Sequence, residues 1–520
     1  MNSSIESPGC RRYLGLWSGH FLKAGTKTLL QSPHVWAFTT YFAEGFPYTI
    51  IRIVSSVFFR DMKVSLEAIG LTSLFGIPWV IKFLWGPQID EYATKRRWML
   101  SLQFLLGIMA IGVAFLTSAP SGMKIIAVLL FIGSFIAATH DMAIDGYYME
   151  ALDETGQAKF VGYRVMAYRI AMMTGTGVVV TIGATLGWFA SYLASAVLLF
   201  LLTLYHFTFL PRVEKEKKPF RGLFELFLER KILVTLGIVV LLIIVLFTFR
   251  EAIQKAVAGV PLLVKISFSG WIGIGLLLAL IVLAVSREKL KRMLLGDGES
   301  FYARAFMTYM DRERMAVVLA FIILMRTGES MLSSMVSPFM VDLGIKVHYG
   351  WISGGVGLPF SILGAMAGGW MISKYSLGRT IWPFLLGQNL TNLVYMTLAL
   401  YLGPFIALNT GAQEITPIGS GNLFFVALVH AFDQFAGGLG TSVLVTFLMR
   451  TCLADFKAAH FAIGTGLMNL SGVLAGVAGG FLAERLGYGY FFGISFLASI
   501  PGMALIPLVP FLHAEKRPSG

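Results

Sequence analysis

Apolar runs recur along the chain, separated by short polar segments. Each is close to the roughly 20 residues that a helix needs to cross a bilayer. The runs are continuous rather than alternating, which predicts helices and excludes a barrel. The first six expected spans lie at about 34–58, 67–86, 98–118, 124–145, 160–187 and 189–210. Two more lie at about 232–249 and 266–286. Six complete the chain, at about 315–341, 349–371, 380–403, 421–446, 460–484 and 488–513. The total of about 14 reads as six, two, six. The expected organisation is a terminal segment 1–33, a first bundle 34–210, a linker region 211–314 that carries the extra pair, a second bundle 315–513, and a tail 514–520.

Composition fits this all-α, multi-pass membrane protein. Of 520 residues, 56% are hydrophobic and only 13% are charged, with a mean hydropathy of +0.75. That excludes a soluble globular protein. The net charge of +13 does not point to nucleic acid, because the cations collect in alternate loops. One side holds Lys95, Arg96 and Arg97, then Lys159, Arg164, Lys374, Arg379, Arg450 and Lys457, with both basic linkers. The opposite loops hold scattered residues such as Arg60, Lys63, Lys124 and Lys346. This asymmetry puts the basic side, and both termini, in the cytoplasm. Cys10 and Cys452 are too few for a disulfide framework or a zinc site. The first 33 residues lack an apolar core suited to a cleavable signal, and Tyr13 to Phe21 suits a short interfacial helix.

The two blocks of six look like repeats. After span 2 comes Gly86-Pro87-Gln88-Ile89-Asp90-Glu91-Tyr92-Ala93-Thr94-Lys95-Arg96-Arg97. The corresponding stretch of the second block is Gly368 to Arg379, with glycines, a tyrosine and basic residues but no acid. These resemble the loop signature of the major facilitator superfamily, intact in the first half and degraded in the second. The resemblance implies two six-helix halves around a midplane site. Glycines spaced by four, Gly472, Gly476 and Gly480 in span 11 and Gly364 and Gly368 in span 8, let helix backbones approach closely. Static packing and helix sliding are both open as their role.

Ionisable groups inside spans are costly and mark candidate function. The chain centres on Thr139-His140-Asp141-Met142-Ala143-Ile144-Asp145, where two carboxylates four residues apart share a helix face. Asp141 and Asp145 are candidate proton carriers, joined by Glu44 and Glu329; Asp145 is also readable as a helix-end residue paired with Arg164. His140 is a relay or a packing residue. Arg169 and Arg326 are candidate clamps for an anionic group, since guanidinium binds carboxylate and phosphate bidentately; Arg326 and Glu329 are also close enough in sequence to satisfy one another. Tyr41, Phe46, Tyr147 and Tyr168 are candidate stacking residues, and Asp433 a further binding residue. Gly86, Asp90, Arg96, Arg97 and Arg164 form the candidate gating set with Lys82, which is expected to snorkel within a gate-holding charge network. Glu44-Gly45-Phe46-Pro47 is expected to interrupt span 1, either opening backbone groups to a cavity or kinking the helix.

Several stretches resemble the AmpG-type muropeptide permeases: Lys82-Phe83-Leu84-Trp85-Gly86-Pro87 with Asp90, His140-Asp141 with Asp145, Gly162-Tyr163-Arg164 through Tyr168-Arg169, Gly328-Glu329, and Gly437-Gly438-Leu439-Gly440-Thr441-Ser442 leading to Leu448-Met449-Arg450 and Phe461-Ala462. The resemblance covers most of spans 1–5 and 7–12. It implies a proton-driven importer of N-acetylglucosaminyl-anhydro-N-acetylmuramyl peptides in the bacterial inner membrane, with an extra helix pair between the halves and no cofactor. A monomer is expected. The chain departs from the pattern at Thr139-His140, where Ser-Gln is expected before the aspartate. It departs also at Glu329, in place of aspartate, and at Glu44, in place of a small polar residue. Another anionic cargo (siderophore, drug or acyl-CoA) is the main alternative. A membrane transferase is disfavoured, since such enzymes need clustered metal-binding acids. The chain also lacks a G-x-x-x-x-G-K-[ST] loop, which disfavours ATP-driven transport.

Overall fold

The computed structural model describes residues 29–82, 85–119, 122–213, 218–219, 221–222, 301–409, 416, 418–453 and 457–512. The expected extra spans at 232–249 and 266–286 lie outside the described residues, as does most of the N-terminal segment.

The described residues form twelve long helical rods. The first half holds α1 (33–61), α2 (66–81), α3 (Lys95–Leu116), α4 (Gly122–Ala151), α5 (154–186) and α6 (Trp188–Phe209). The second holds α7 (315–342), α8 (346–375), α9 (Leu377–Tyr401), α10 (Ser420–Thr451), α11 (457–486) and α12 (488–504). A further helix, Phe301–Met310, precedes α7 in what the sequence reads as linker, and its Tyr309 is fully buried.

Turn chemistry repeats between the halves. One glycine at positive φ joins α5 to α6 (Gly187, φ 93°) and another joins α11 to α12 (Gly487, φ 73°). A side chain would be strained at either. The interruption expected at Glu44–Pro47 is absent. The helix runs Pro33–Thr49 through Pro47, and the irregularity falls one turn later as a π-helical segment, Ile50–Val54. Gly45 serves packing instead: a Cβ there would lie 2.9 Å from the Tyr168 carbonyl oxygen of α5. Lost N–H groups inside apolar helices are absorbed by such local adjustments.

The halves meet along two seams, α2 against α11 and α5 against α8. Both are lined by small residues. A Cβ on Gly70 would sit 2.8 Å from Gly480 Cα, and one on Gly354 would sit 3.0 Å from the Gly177 nitrogen. The apolar core is arranged unequally along the molecule. Toward the end away from the basic loops, one cluster runs through both halves, from Phe46 and Phe58 to Phe339 and Phe492. Toward the basic-loop end each half keeps its own, around Tyr147 in the first and Phe447 in the second. The halves are therefore fused at one end and packed separately at the other.

Candidate functional site

At the fused end, charged pairs cross between the halves. Arg60 of α1 donates through Nε and Nη2 to both carboxylate oxygens of Asp342 in α7, at 2.6 and 2.5 Å. Tyr488 donates to the same aspartate at 2.6 Å. Lys346 of α8 donates to Asp61 of α1 at 2.7 Å, and Trp188 of α6 donates to Asp61 at 2.7 Å. Arg60 and Lys346 read in the sequence as scattered loop cations; the structure makes them latches. A usable sequence signal existed, since each cation sits beside or four residues from an acid at a span end.

Between that latch and the basic-loop end lies a buried charge cluster within the first half. Asp141 is 8% exposed, and Lys82 Nζ donates to its Oδ2. The Glu44 carboxyl lies within hydrogen-bonding reach of Asp141, and its Oε2 is buried with no partner. Asp145 accepts from Tyr41 at 2.7 Å and from Arg164 at 2.9 Å, and the Arg164 guanidinium stacks on the Tyr41 ring at 4.4 Å. Three carboxyls thus share one patch with two cations. Lys82, expected to snorkel within a gate-holding charge network, takes part in a charge network through its pair with Asp141. Trp85 donates to Thr139 at 3.1 Å, which anchors the same end of α2 to α4.

Each half also contributes one guanidinium, Arg169 and Arg326. The break of α7 at Met325–Arg326 turns Arg326 back, so that its Nε and Nη2 donate to Glu329 Oε2 at 2.9 and 2.6 Å. Arg169 of α5 lies close enough across the midline to feel the charge of Arg326. Among the described residues Arg169 has no carboxylate partner. Beside it Tyr48 packs edge-on against Trp79 at 5.2 Å and near Tyr168 at 6.0 Å. Tyr48 and Trp79 were not singled out in the sequence. Neither carries charge, and both look like ordinary apolar positions there.

Several candidates occupy other places. Phe46 and Tyr147 are fully buried in helix packing, and Tyr147 donates to the Pro211 carbonyl at 2.8 Å. Tyr41 is buried as a partner of Asp145, away from a stacking position. His140 is 1% exposed, with an unpartnered Nε2. Asp433 is buried against α9, accepting from Thr391 at 2.7 Å and Gln434 at 3.1 Å. Arg96 closes the end of α6, donating to the carbonyls of His206, Phe207 and Leu210, which suits a cation at a helix C-terminus. Arg97 is exposed, and Gly86 opens the short helix Gly86–Glu91. The Asp90 side chain lies outside the described residues.

Two pseudo-repeated six-helix halves with buried charge between long apolar helices fit the class of multi-pass membrane transporters. The model of the Major Facilitator Superfamily matches residues 37–298, half of the chain, and the chain belongs to that superfamily. Within it, the chain is similar to the anhydromuropeptide permease of Escherichia coli (strain K12), at 23% identity over 89% of this chain and 77% of the relative. It is also similar to the putative transporter AmpG 3 of Rickettsia prowazekii (strain Madrid E), at 21% identity over 91% and 94%. The AmpG-type resemblance read from the motifs therefore extends over nearly the whole chain. Among solved structures, a peptide transporter POT in complex with sulfate aligns at TM-score 0.59 and 13% identity, over 91% of this chain and 94% of that one. That likeness is one of fold.

Proposed function

We propose that this chain is a proton-coupled secondary transporter of the bacterial inner membrane that carries anhydromuropeptides into the cytoplasm by alternating access. The observation that carries the reading is the midline guanidinium pair. Arg169 and Arg326 come from opposite halves, near enough for their charges to interact, and Glu329 pairs with only one of them. A cargo carboxylate between them would bridge the halves through charge-assisted bonds, while Tyr48 and Trp79 present aromatic faces for its sugar. Similarity to the anhydromuropeptide permease of Escherichia coli suggests the cargo, and the carboxylates of its peptide suit the surplus cation.

The proton site belongs to the first half. Glu44, Asp141 and Asp145 exceed Lys82 and Arg164 by one charge, and one proton shared by the adjacent Glu44 and Asp141 carboxyls would balance the patch. Protonation and release there would loosen or tighten Asp141 on Lys82, which ties α4 to α2. Glu329 is a second site, where a proton would free Arg326 for cargo. Both termini lie in the cytoplasm on this reading, the chain works as a monomer, and the ion gradient replaces any cofactor.

The test is uptake of labelled anhydromuropeptide into proteoliposomes under an imposed inward proton gradient, for wild type, Asp141→Asn and Glu44→Gln. Gradient-dependent uptake that both variants lose is expected. Uptake that ignores a protonophore would end the coupling claim. No uptake by folded wild type would move the cargo to another anionic solute.

A further inference from the structure

We propose that the basic-loop ends of α8, α9 and α10 form a binding site for one anionic glycerophospholipid. A cavity of about 890 Å³ opens there, lined by Lys374, Arg379 and Arg450 together with Ser373, Ser376 and Thr446. In the sequence this is the degraded copy of the loop signature, which carries two cations, Lys374 and Arg379, and lacks the acids of the first copy. Among the described residues neither Lys374 nor Arg379 has a carboxylate partner. Arg450 is steadied through Nη1 by the Phe511 and Leu512 carbonyls.

The surroundings identify a lipid rather than a soluble anion. On α8 the exposed apolar residues Leu363, Met366 and Trp370 form a stripe at helical spacing, and Lys374 ends it one turn beyond Trp370. On α9, Leu386 and Trp382 form the matching exposed stripe, and Arg379 ends that one. Both stripes face hydrocarbon in a membrane protein, so their terminal cations stand at headgroup level, where tryptophan and tyrosine also collect. Lys374 Nζ lies over the Trp370 ring at 5.1 Å and the Tyr375 ring at 5.3 Å, which holds the ammonium at that level. A single residue, Ser376 at φ 73°, joins α8 to α9. It brings the first turn of α9, whose leading N–H groups have no acceptor within the helix, to the rim of the cavity. A phosphodiester would take the cations and these N–H groups, and its acyl chains would run along the two stripes. Basic pockets between membrane helices on the cytoplasmic side bind such headgroups. The positive-inside pattern puts this cavity on that side.

The test uses the full chain, purified and stripped of lipid, with native mass spectrometry counting phosphatidylglycerol or phosphatidylcholine retained from mixed micelles. Saturable retention of one phosphatidylglycerol is expected. It should weaken by about 10-fold or more in Lys374→Gln/Arg379→Gln, given roughly one order-of-magnitude step for two interfacial cations, and stay unchanged in Arg212→Gln, an exposed cation elsewhere on the same end. The charge-keeping pair Lys374→Arg/Arg379→Lys should retain the lipid. Equal retention of phosphatidylcholine, undiminished retention in the glutamine pair, loss in the charge-keeping pair, or displacement by inorganic phosphate at millimolar concentration would each overturn the assignment. None of these outcomes depends on which solute the protein carries.

Discussion

At the scale of single residues, the structure separates cations by what they already hold. Arg96 is spent on helix carbonyls, Arg326 on Glu329 and Arg164 on Asp145; Arg169 has no carboxylate partner among the described residues. Arg169→Gln should therefore raise the KM for an anionic cargo by about 10- to 100-fold, the equivalent of one charge-assisted bond of about 1.5–3 kcal/mol. Arg169→Lys should recover only part of this, because an ammonium lacks the planar fork. Uptake kinetics read both, and an unchanged KM in the glutamine variant would remove Arg169 from the clamp. Lys82 behaves differently. Asp141→Asn strands its ammonium inside the bundle, so a stability loss of about 3–5 kcal/mol is expected. Pairing it with Lys82→Met should restore much of that loss in thermal melts without restoring gradient-driven uptake.

At the scale of elements, helix contacts are set by what is missing from the backbone. The seams between the halves depend on glycine and serine, since Gly70 meets Gly480 and Gly177 meets Gly350 and Gly354. Close backbone approach gives dispersion contact with little side-chain interlock, a surface that suits two rods changing their angle. Gly480→Leu should force α2 and α11 apart. Overpacking costs about 1–3 kcal/mol, so the expected outcome is folded, membrane-inserted protein with uptake cut at least 10-fold, judged by size-exclusion elution beside transport. Normal uptake would mean that the seam is not a moving contact. The glycine turns at Gly187 and Gly487 have another role, since each reverses the chain in one residue at positive φ.

At the scale of the molecule, the two halves are joined at one end by a shared apolar core and cross-half ion pairs. The Arg60–Asp342 and Lys346–Asp61 pairs, with side-chain exposures between 13% and 27%, are partly shielded and each stands between halves. Asp342→Asn would remove the acid that Arg60 and Tyr488 share. A loss of about 2 kcal/mol there shifts a two-state balance roughly 30-fold. Spin labels at Met62 and Val347, both exposed beside the latch, should then report a longer-distance population by electron–electron resonance. An unaltered distance distribution would show that the apolar core alone keeps this end closed.

Legible in the chain alone were the membrane class and the two blocks of six spans, twelve of about 14 expected, because about 20 continuous apolar residues admit no other hydrogen-bonded structure in lipid. It also determined the charges at Asp141, Asp145, Arg169, Arg326 and Glu329, since an ionisable group inside an apolar run is visible without any fold. It misplaced Phe46 and Tyr147, and it passed over Tyr48 and Trp79, because the facing of an aromatic ring depends on which helix lies opposite. Residues as distant in sequence as Arg60 and Asp342, or Arg169 and Arg326, become partners only when the halves dock. Which cations are already paired, and at which end the core runs through both halves, depends on how helices far apart in the chain dock against one another.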